Sequence, residues 1–338
     1  MELAIERVSL QNSLAMVQGI VERRNTVPIL GHVLIEPDGN KIRLSATDLE
    51  VGIRTEVACK ASAKGSLTLN ARKLFEIVRE AEGDEVALKS LDNDWVELKC
   101  GRARFKMMGL DPRSFPAMPS QSAAKGSVEP ARKAVKGELK VTATVLAAMI
   151  DKTLFAVSPD EARYNLSGVY IDSPAAGTAR MVATDGHRLS MVDREVAGFA
   201  MQGGAIIPRK GMAELRKLLD QAGDGEVELA LDGSLAWIKR AAIFSNERYH
   251  GVKFGLSSST LTVSSASPEM GEASETIDVE FGGDEFSIGF NASYVQQVLG
   301  VIPEGSDAIL GVSDEVSPGV ITTPADSQFT YVVMPMRL

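Results

Sequence analysis

The chain has 338 residues, 44% of them hydrophobic and 24% charged; this is the make-up of a globular protein of two or three domains and excludes a chain disordered throughout. A net charge of −9 excludes a protein that coats nucleic acid over its whole surface, because phosphate affinity comes from Lys and Arg displacing counterions, yet the 36 basic residues can still form a local basic face. Cys59 and Cys100 show neither CxxC nor Cys/His spacing, so no disulfide framework, zinc site or other cofactor is expected.

The N-terminus, MELAIERVSL, carries Glu2 and Glu6 and no uninterrupted apolar run. It fits neither a signal peptide nor a membrane span, which points to a cytoplasmic protein. Leu10, Leu14, Val17 and Val21 then recur at helical spacing. HVLIEPDGNKIRLSATD follows as an alternating hairpin around Pro-Asp-Gly-Asn. ARKLFEIVREAE reads as a second helix that stops near a Gly, and a strand pair, WVELKCGRARFKMMGLDPRSFPAMP, ends the unit. Ser120 to Gly137, rich in Ser, Ala, Lys and Gly, reads as a linker. The same order then begins again. A helical face is formed by Leu146, Met149, Ile150, Leu154 and Val157, strands by GVYIDSPAAGTARMVATD, and a second helix by RKGMAELRKLLDQAG.

Spacing between landmarks makes this a repeat. Gly31 corresponds to Gly168 and Gly251. Ala46-Thr47-Asp48 corresponds to Ala183-Thr184-Asp185 and, loosely, to Ala266-Ser267-Pro268. Asn70-Ala71-Arg72 corresponds to Pro208 and Arg209 and to Asn291-Ala292-Ser293. The offsets are 137 between the first two units and 83 between the next two. The expected fold class is α+β: three repeated domains, each with two helices packed on antiparallel sheet. The boundaries fall at 1–119, a linker at 120–137, 138–237 and 238–338. One interval is short. Unit two has only GEVELALDGSLAW before IKRAAIFSNERY, which already resembles the first helix of unit three. By comparison of repeats about forty residues are lacking near Trp237 to Lys239. Loss of two strands would leave an open sheet edge, so the expectation is a break in the recorded chain and not a natural deletion.

The second helices carry a charge pattern. Arg72, Lys73 and Arg79 recur at the 137 offset as Arg209, Lys210 and Arg216, and positions seven apart share a helix face. Arg23 and Arg24 follow the first helix, and nothing from Asn291 to Leu299 is charged. The plainer reading is a solvated face with Glu76 and Glu214 as i,i+4 partners; recurrence in two repeats favours a surface for phosphates. Asp185 and His187 in TDGH could form a ligand or catalytic pair on one strand face. No HExxH, GxSxG or phosphate-loop spacing accompanies them, and Asp48 has no His beside it. A repeated Thr-Asp is more simply a turn-capping element. No enzymatic activity is expected.

VATDGHRLSMV (Val182 to Val192), IIPRKGMAEL (Ile206 to Leu215) and YVVMPMRL (Tyr331 to Leu338), in this order on three α+β repeats, resemble the bacterial DNA polymerase III β subunits, the sliding clamps. The resemblance implies a head-to-tail homodimer of three-domain chains, closed as a ring around double-stranded DNA without sequence preference. It implies tethering of the replicative polymerase, contact with a clamp loader and other clamp-binding proteins, and no membrane. Matched by position, Arg24, Arg72, Tyr164 and Asn165 are DNA contacts beside the helix cations. The dimer interface would use Phe105 and Met107 on the domain-one edge, with Ile243 and Phe244 of domain three. A partner-peptide pocket would be formed by Arg163, Leu166, Thr184, Gly186, His187, Arg188 and Leu189. Pro318, Val332, Met334, Pro335, Met336 and Arg337 would complete it, with Asn291 and Tyr294 at its rim. The family's pocket also takes a Pro and an Arg from a strand ending domain two, and no such string lies between Gly233 and Ala241, so the sequence lacks the residues of that wall. The alternative is a repeat scaffold that binds proteins without encircling DNA.

Overall fold

The computed structural model describes residues 1–21, 27–49, 51–61, 65–117, 136–160, 162–163, 165–201, 203–232, 251–257, 259–267, 271–283 and 285–336. Of the residues singled out above, Arg23, Arg24, Ser120, Tyr164, Gly233, Trp237, Lys239, Ala241, Ile243, Phe244, Pro268, Arg337 and Leu338 lie outside these. The chain forms two compact units, Met1–Glu129 and Pro130–Leu338. Among the described residues no helix is long and apolar enough to cross a membrane.

In the first unit β1 (Glu2–Glu6) leads into α1 (Arg7–Gln18), whose Leu10, Leu14 and Val17 are fully buried, with Val21 beyond it. The hairpin of β2 (His32–Asp38) and β3 (Lys41–Thr47) turns at Gly39, where a φ of 65 suits glycine. β4 (Gly52–Ala61), β5 (Leu67–Asn70) and α2 (Ala71–Glu80) follow, then a meander of β6 (Glu85–Ser90), β7 (Trp95–Cys100) and β8 (Ala103–Met108). The strands make one sheet in the order β5-β2-β3-β4-β1-β6-β7-β8. Alternate residues such as Val33, Ile35, Ile42 and Leu44 face the helices and are buried, as period-2 geometry requires.

The second unit begins with β9 (Lys136–Thr142) and α3 (Ala143–Asp151). Leu146, Met149 and Ile150 are buried as expected, but the helix ends at Asp151. Leu154 stands in a separate 3-10 turn and Val157 beyond it, so the helical face is shorter than its spacing suggested. β10 (Gly168–Asp172), β11 (Thr178–Thr184), β12 (Arg188–Glu195), β13 (Ala205–Pro208), α4 (Arg209–Ala222) and β14 (Glu226–Asp232) repeat the order of the first unit. The third repeat comprises β15 (Gly251–Leu256), β16 (Thr260–Ser267), β17 (Gly271–Asp278), β18 (Phe286–Asn291) and α5 (Ala292–Leu299), then a meander of β19 (Ile309–Gly311), β20 (Gly319–Thr323) and β21 (Asp326–Val333).

Three four-strand modules share one topology: β5-β2-β3-β4, β13-β10-β11-β12 and β18-β15-β16-β17. In each, the first residue of one strand faces the residue that precedes the second helix: His32 opposite Asn70, Gly168 opposite Pro208, Gly251 opposite Asn291. This register corrects the constant offset. The counterpart of Gly168 is His32, not Gly31, and that of Pro208 is Asn70, so the spacing runs 136, 137 and 138 along the repeat. Arg72 therefore corresponds to Lys210 and Arg79 to Lys217. Burial agrees, since Leu74 matches Met212, both fully buried. Gly168 is fixed by contact: a Cβ there would lie 2.4 Å from the Ile207 carbonyl oxygen.

The chain is continuous from Met1 to Leu338, so the short interval belongs to the protein itself and is not a break in the record. The suspected site lies in 233–250, outside the described residues. What the shortening does not disturb is the join between repeats two and three. β12 pairs along its outer side with β21, from Arg188 opposite Val333 to Val192 opposite Phe329. A seven-stranded sheet, β13-β10-β11-β12-β21-β20-β19, thus runs through both repeats.

Candidate functional sites

The Thr-Asp turn is one structure used twice. After β3, Thr47 Oγ1 donates to the Val51 carbonyl and accepts from Leu49 N, while Asp48 accepts from Val51 N at 2.7 Å. After β11, Thr184 Oγ1 donates to the Arg188 carbonyl and accepts from Gly186 N, while Asp185 accepts from His187 N and Arg188 N. Leu49 and Gly186 both have positive φ, 79 and 91. Asp185 is buried with both oxygens engaged, the second by Arg188 Nε at 3.1 Å. His187 is exposed. The pair is a capped turn and not a reactive centre, and among the described residues no cluster of His, Cys, Asp or Glu could hold a metal. Both cysteines are free thiols, pushed up by burial.

At the place of Val51, the second repeat has Arg188, which is 7% exposed. Its guanidinium bonds Asp185 and the Phe155 carbonyl at 2.7 Å, donates to Gln297 of α5, and stacks 4.2 Å from the Tyr294 ring centroid. Tyr331 packs on Phe155, and its hydroxyl donates to the Tyr294 carbonyl. Burial pushes the Tyr331 hydroxyl up to about 12. Arg188 is thus a buried cation that ties repeat two to repeat three. A second tie is made by Asp326, which accepts from Arg194 and Lys152. Burial pulls its pKa upward, but the hydrogen bonds of these two cations hold it below the ordinary carboxylate value.

The sequence-named pocket residues gather around this junction. Met334 N donates to the His187 carbonyl and Met336 N to the Gly289 carbonyl, both at 2.8 Å, so the chain after β21 is fastened to both repeats. Leu189 pairs with Val332, and Val332 with Val320. These three form an apolar row across β12, β21 and β20, with Met334 43% exposed beside it. Val320 was not among the expected residues; only strand register brings it into the row. Arg163 is exposed and paired with Asp160, and Leu166 is half-buried in the same loop. A Cβ on Gly186 would come within 3.8 Å of the Arg163 guanidinium. Asn291 caps α5 through Ser293 N, and Pro318, Pro335 and Met336 lie on the third repeat's side of the junction.

The helix cations differ more than their spacing suggests. Arg72 is half-buried and donates to the Val21 carbonyl at 3.0 Å, so it holds the turn that follows α1. Lys73 pairs with Glu76 and Lys217 with Glu214, both at i,i+3 and not the expected i,i+4. Arg79 pairs with Glu80 and lies over the Phe75 ring. Arg216 is held by Asp151 and Asp220, whose hydrogen bonds raise its pKa. Lys210 is half-buried, whereas Arg209 and Asn165 are exposed. On the domain-one edge, Phe105 is 37% exposed, while Met107 packs partly against the core.

Family models for the DNA polymerase III beta subunit match the chain in three parts: the N-terminal domain over residues 1–119, the central domain over 140–249 and the C-terminal domain over 216–337. The chain is 33% identical to the beta sliding clamp of Caulobacter vibrioides over 385 residues and 32% identical to that of Pseudomonas aeruginosa over 384, covering all of both chains in each case. Among solved structures, it is similar to the Caulobacter crescentus beta sliding clamp at a TM-score of 0.87 and 31% identity, covering 100% of this chain and 99% of that one. It is also similar to the Pseudomonas aeruginosa DNA polymerase III subunit beta at 0.84 and 32%, covering 100% of both. The aligned lengths, 385 and 384, exceed the 338 residues of this chain. The chain belongs to the β sliding clamp family of DNA polymerase III beta subunits, processivity factors of DNA replication with no catalytic reaction of their own.

Proposed function

We propose that two copies of this chain close head to tail into a ring around double-stranded DNA and hold the replicative polymerase on it. The observation that carries this reading is the β12–β21 ladder, in which the outer edge of one repeat's four-strand module takes the last strand of the next repeat's meander. The same two kinds of edge stand at the ends of the chain: β8 ends the meander of repeat one, and β17 is the outer strand of repeat three. A contact that closes after two subunits needs two such unlike faces. Carrying the β12–β21 register over puts Arg104 of β8 opposite Ser274 of β17. Arg104 and Lys106 on β8 and exposed Glu275 and Asp278 on β17 are of opposite sign. Phe105 and Met107 belong to this interface; Ile243 and Phe244 are its proposed companions from domain three. The domain boundaries are those at 119, 137 and 237.

DNA contacts in this reading are weak and directed at phosphates, since base readout would stop sliding. Arg209 is the strongest candidate of the cations, being exposed and without a carboxylate among the described residues. Lys73, Arg79, Lys210, Arg216, Arg24, Tyr164 and Asn165 extend the set, while Arg72 acts through the turn that follows α1. Partner peptides, from the polymerase, the clamp loader and other clamp-binding proteins, dock on the row of Leu189, Val332 and Val320 with Met334 as an adaptable wall. The protein works in the cytoplasm.

Loading onto nicked circular DNA across a salt series tests the ring. Arg209→Glu is expected to load poorly with a shallower salt slope at unchanged thermal stability. Normal loading at every salt concentration would remove Arg209 from the DNA face. For the pocket, removing Met334 to Leu338 is expected to abolish binding of a polymerase C-terminal peptide; full affinity in the truncated protein is incompatible with it.

A further inference from the structure

We infer that repeat one carries a binding site of its own, for a compact apolar monocarboxylate, in a cavity on the outer face of its sheet. After β8 the chain turns back over that face. Thr68 Oγ1 donates to the Leu110 carbonyl at 2.6 Å and accepts from Leu110 N at 2.9 Å. Asp111 then caps the 3-10 turn of Pro112–Ser114 by accepting from Arg113 N, and Phe115 packs with Ile29 and Leu30 against Leu34 and Leu110. Between this segment and the strands lies a cavity of about 330 Å³, lined by Leu34, Glu36, Ser45, Arg54, Pro112 and Phe115, with Pro116 beside them. That is room for a body the size of one branched or aromatic residue. The two prolines fix φ in the covering segment, so the cavity is largely formed before anything enters it.

The polar groups of the cavity name the ligand. Ser45 of β3 stands in register between Leu34 of β2 and Arg54 of β4. Its neighbours Leu44 and Ala46 are in the core, so Ser45 points to the other face, into the cavity. Ser45 is 1% exposed, yet its hydroxyl has no hydrogen-bond partner among the described residues. Buried hydroxyls are nearly always bonded, because a dry one loses its water without return. Arg54 is exposed at the mouth and has no ion pair among the described residues, whereas Arg113 is already held by Asp111. Residues directly opposite on paired strands have Cβ atoms about 5 Å apart, so the Ser45 hydroxyl and the Arg54 guanidinium close on one carboxylate, each donating to an oxygen. Leu34, Phe115 and the prolines take the apolar body. Glu36 repels a second negative charge and so selects a monoanion. Repeat two has Val182 and Met191 at the places of Ser45 and Arg54, so building the sheet requires neither the hydroxyl nor the cation.

The test titrates the full chain with 4-methylpentanoate, a free acid, and with N-acetyl-leucine, which stands for the end of a peptide, each beside its neutral amide. Binding is followed by NMR at the Leu34 methyl groups. The expected result is a saturable shift with the acids and about tenfold weaker binding of the amides. Arg54→Gln should weaken the acids about tenfold and leave the amides unchanged. Ser45→Ala should also weaken the acids, with a thermal midpoint unchanged or raised, because it removes an unbonded polar atom from a buried place. Tighter binding of N-acetyl-leucine would make a peptide terminus the source of the ligand, and equal or tighter binding of 4-methylpentanoate a free metabolite; both uphold the site. No saturable shift at Leu34 with either acid, or acid and amide binding equally, would overturn it. So would a lowered midpoint in Ser45→Ala, which would make the hydroxyl a structural group.

Discussion

The same Thr-Asp turn stands in repeats one and two, and a single residue makes it serve different ends. In repeat one, Val51 follows the turn, and only its backbone is used, accepting from Thr47 and donating to Asp48. In repeat two, Arg188 makes the same backbone contacts and adds a side chain that crosses to Gln297 and Tyr294 of repeat three. The turn is a local solution to ending a strand; the arginine turns it into a junction. A short-range motif can therefore recur without its function recurring.

Removing the arginine should break this comparison most. Arg188→Ala leaves Asp185 buried without its cation, and a loss of about 3–5 kcal/mol is expected from urea unfolding followed in the second unit. Val51→Ala at the equivalent place should cost under about 1.5 kcal/mol, the price of shortening a half-exposed aliphatic. Equal effects would mean that the turn, and not the junction, carries the stability.

Asp326→Asn is the next test. It leaves Lys152 and Arg194 with a neutral partner at largely buried positions, and a loss of about 3 kcal/mol is expected. Because the folded pKa of Asp326 is depressed below its ordinary 3.8, its contribution is complete above that value and disappears as pH falls through the folded pKa. The difference between wild type and variant should therefore be constant from neutral pH to about 5 and shrink below about 4, read from denaturation midpoints at each pH. A difference that grows on acidification would contradict the assigned partners.

The smallest expected effect concerns the helix starts. Asn70 caps α2 by accepting from Lys73 N, whereas Pro208 offers α4 no side-chain cap. Asn70→Ala should cost about 1 kcal/mol. Pro208→Asn should change stability by less than that or raise it, since it supplies the missing acceptor at the cost of a fixed φ. Thermal melts of the two variants compare the repeats directly.

Much of this protein was legible in its residues because its elements are local. Leu10, Leu14 and Val17 mark α1 by spacing alone, the TDG turn is written in Thr184, Asp185 and Gly186, and the order of repeats showed the interval near Trp237 to be short. What spacing could not give was register. The drift from 136 to 138 arises because segments between shared landmarks differ by single residues, and only the pairing of His32 with Asn70 and Gly168 with Pro208 fixes the frame. That one-residue change moves the partner of Arg72 from Arg209 to Lys210.

The sequence by itself determined most of the helices and strands, the threefold plan and the family, since hydrophobic period, caps and turns depend on neighbours along the chain; where α3 ends was not among them. Tertiary structure alone decided which cations are committed to internal partners, that Arg188 is a buried tie and that Val320 joins Leu189 and Val332. Those properties depend on which distant segments meet. A guanidinium looks the same in sequence whether it faces phosphate, as proposed for Arg209, or is held by Asp151 and Asp220, as Arg216 is.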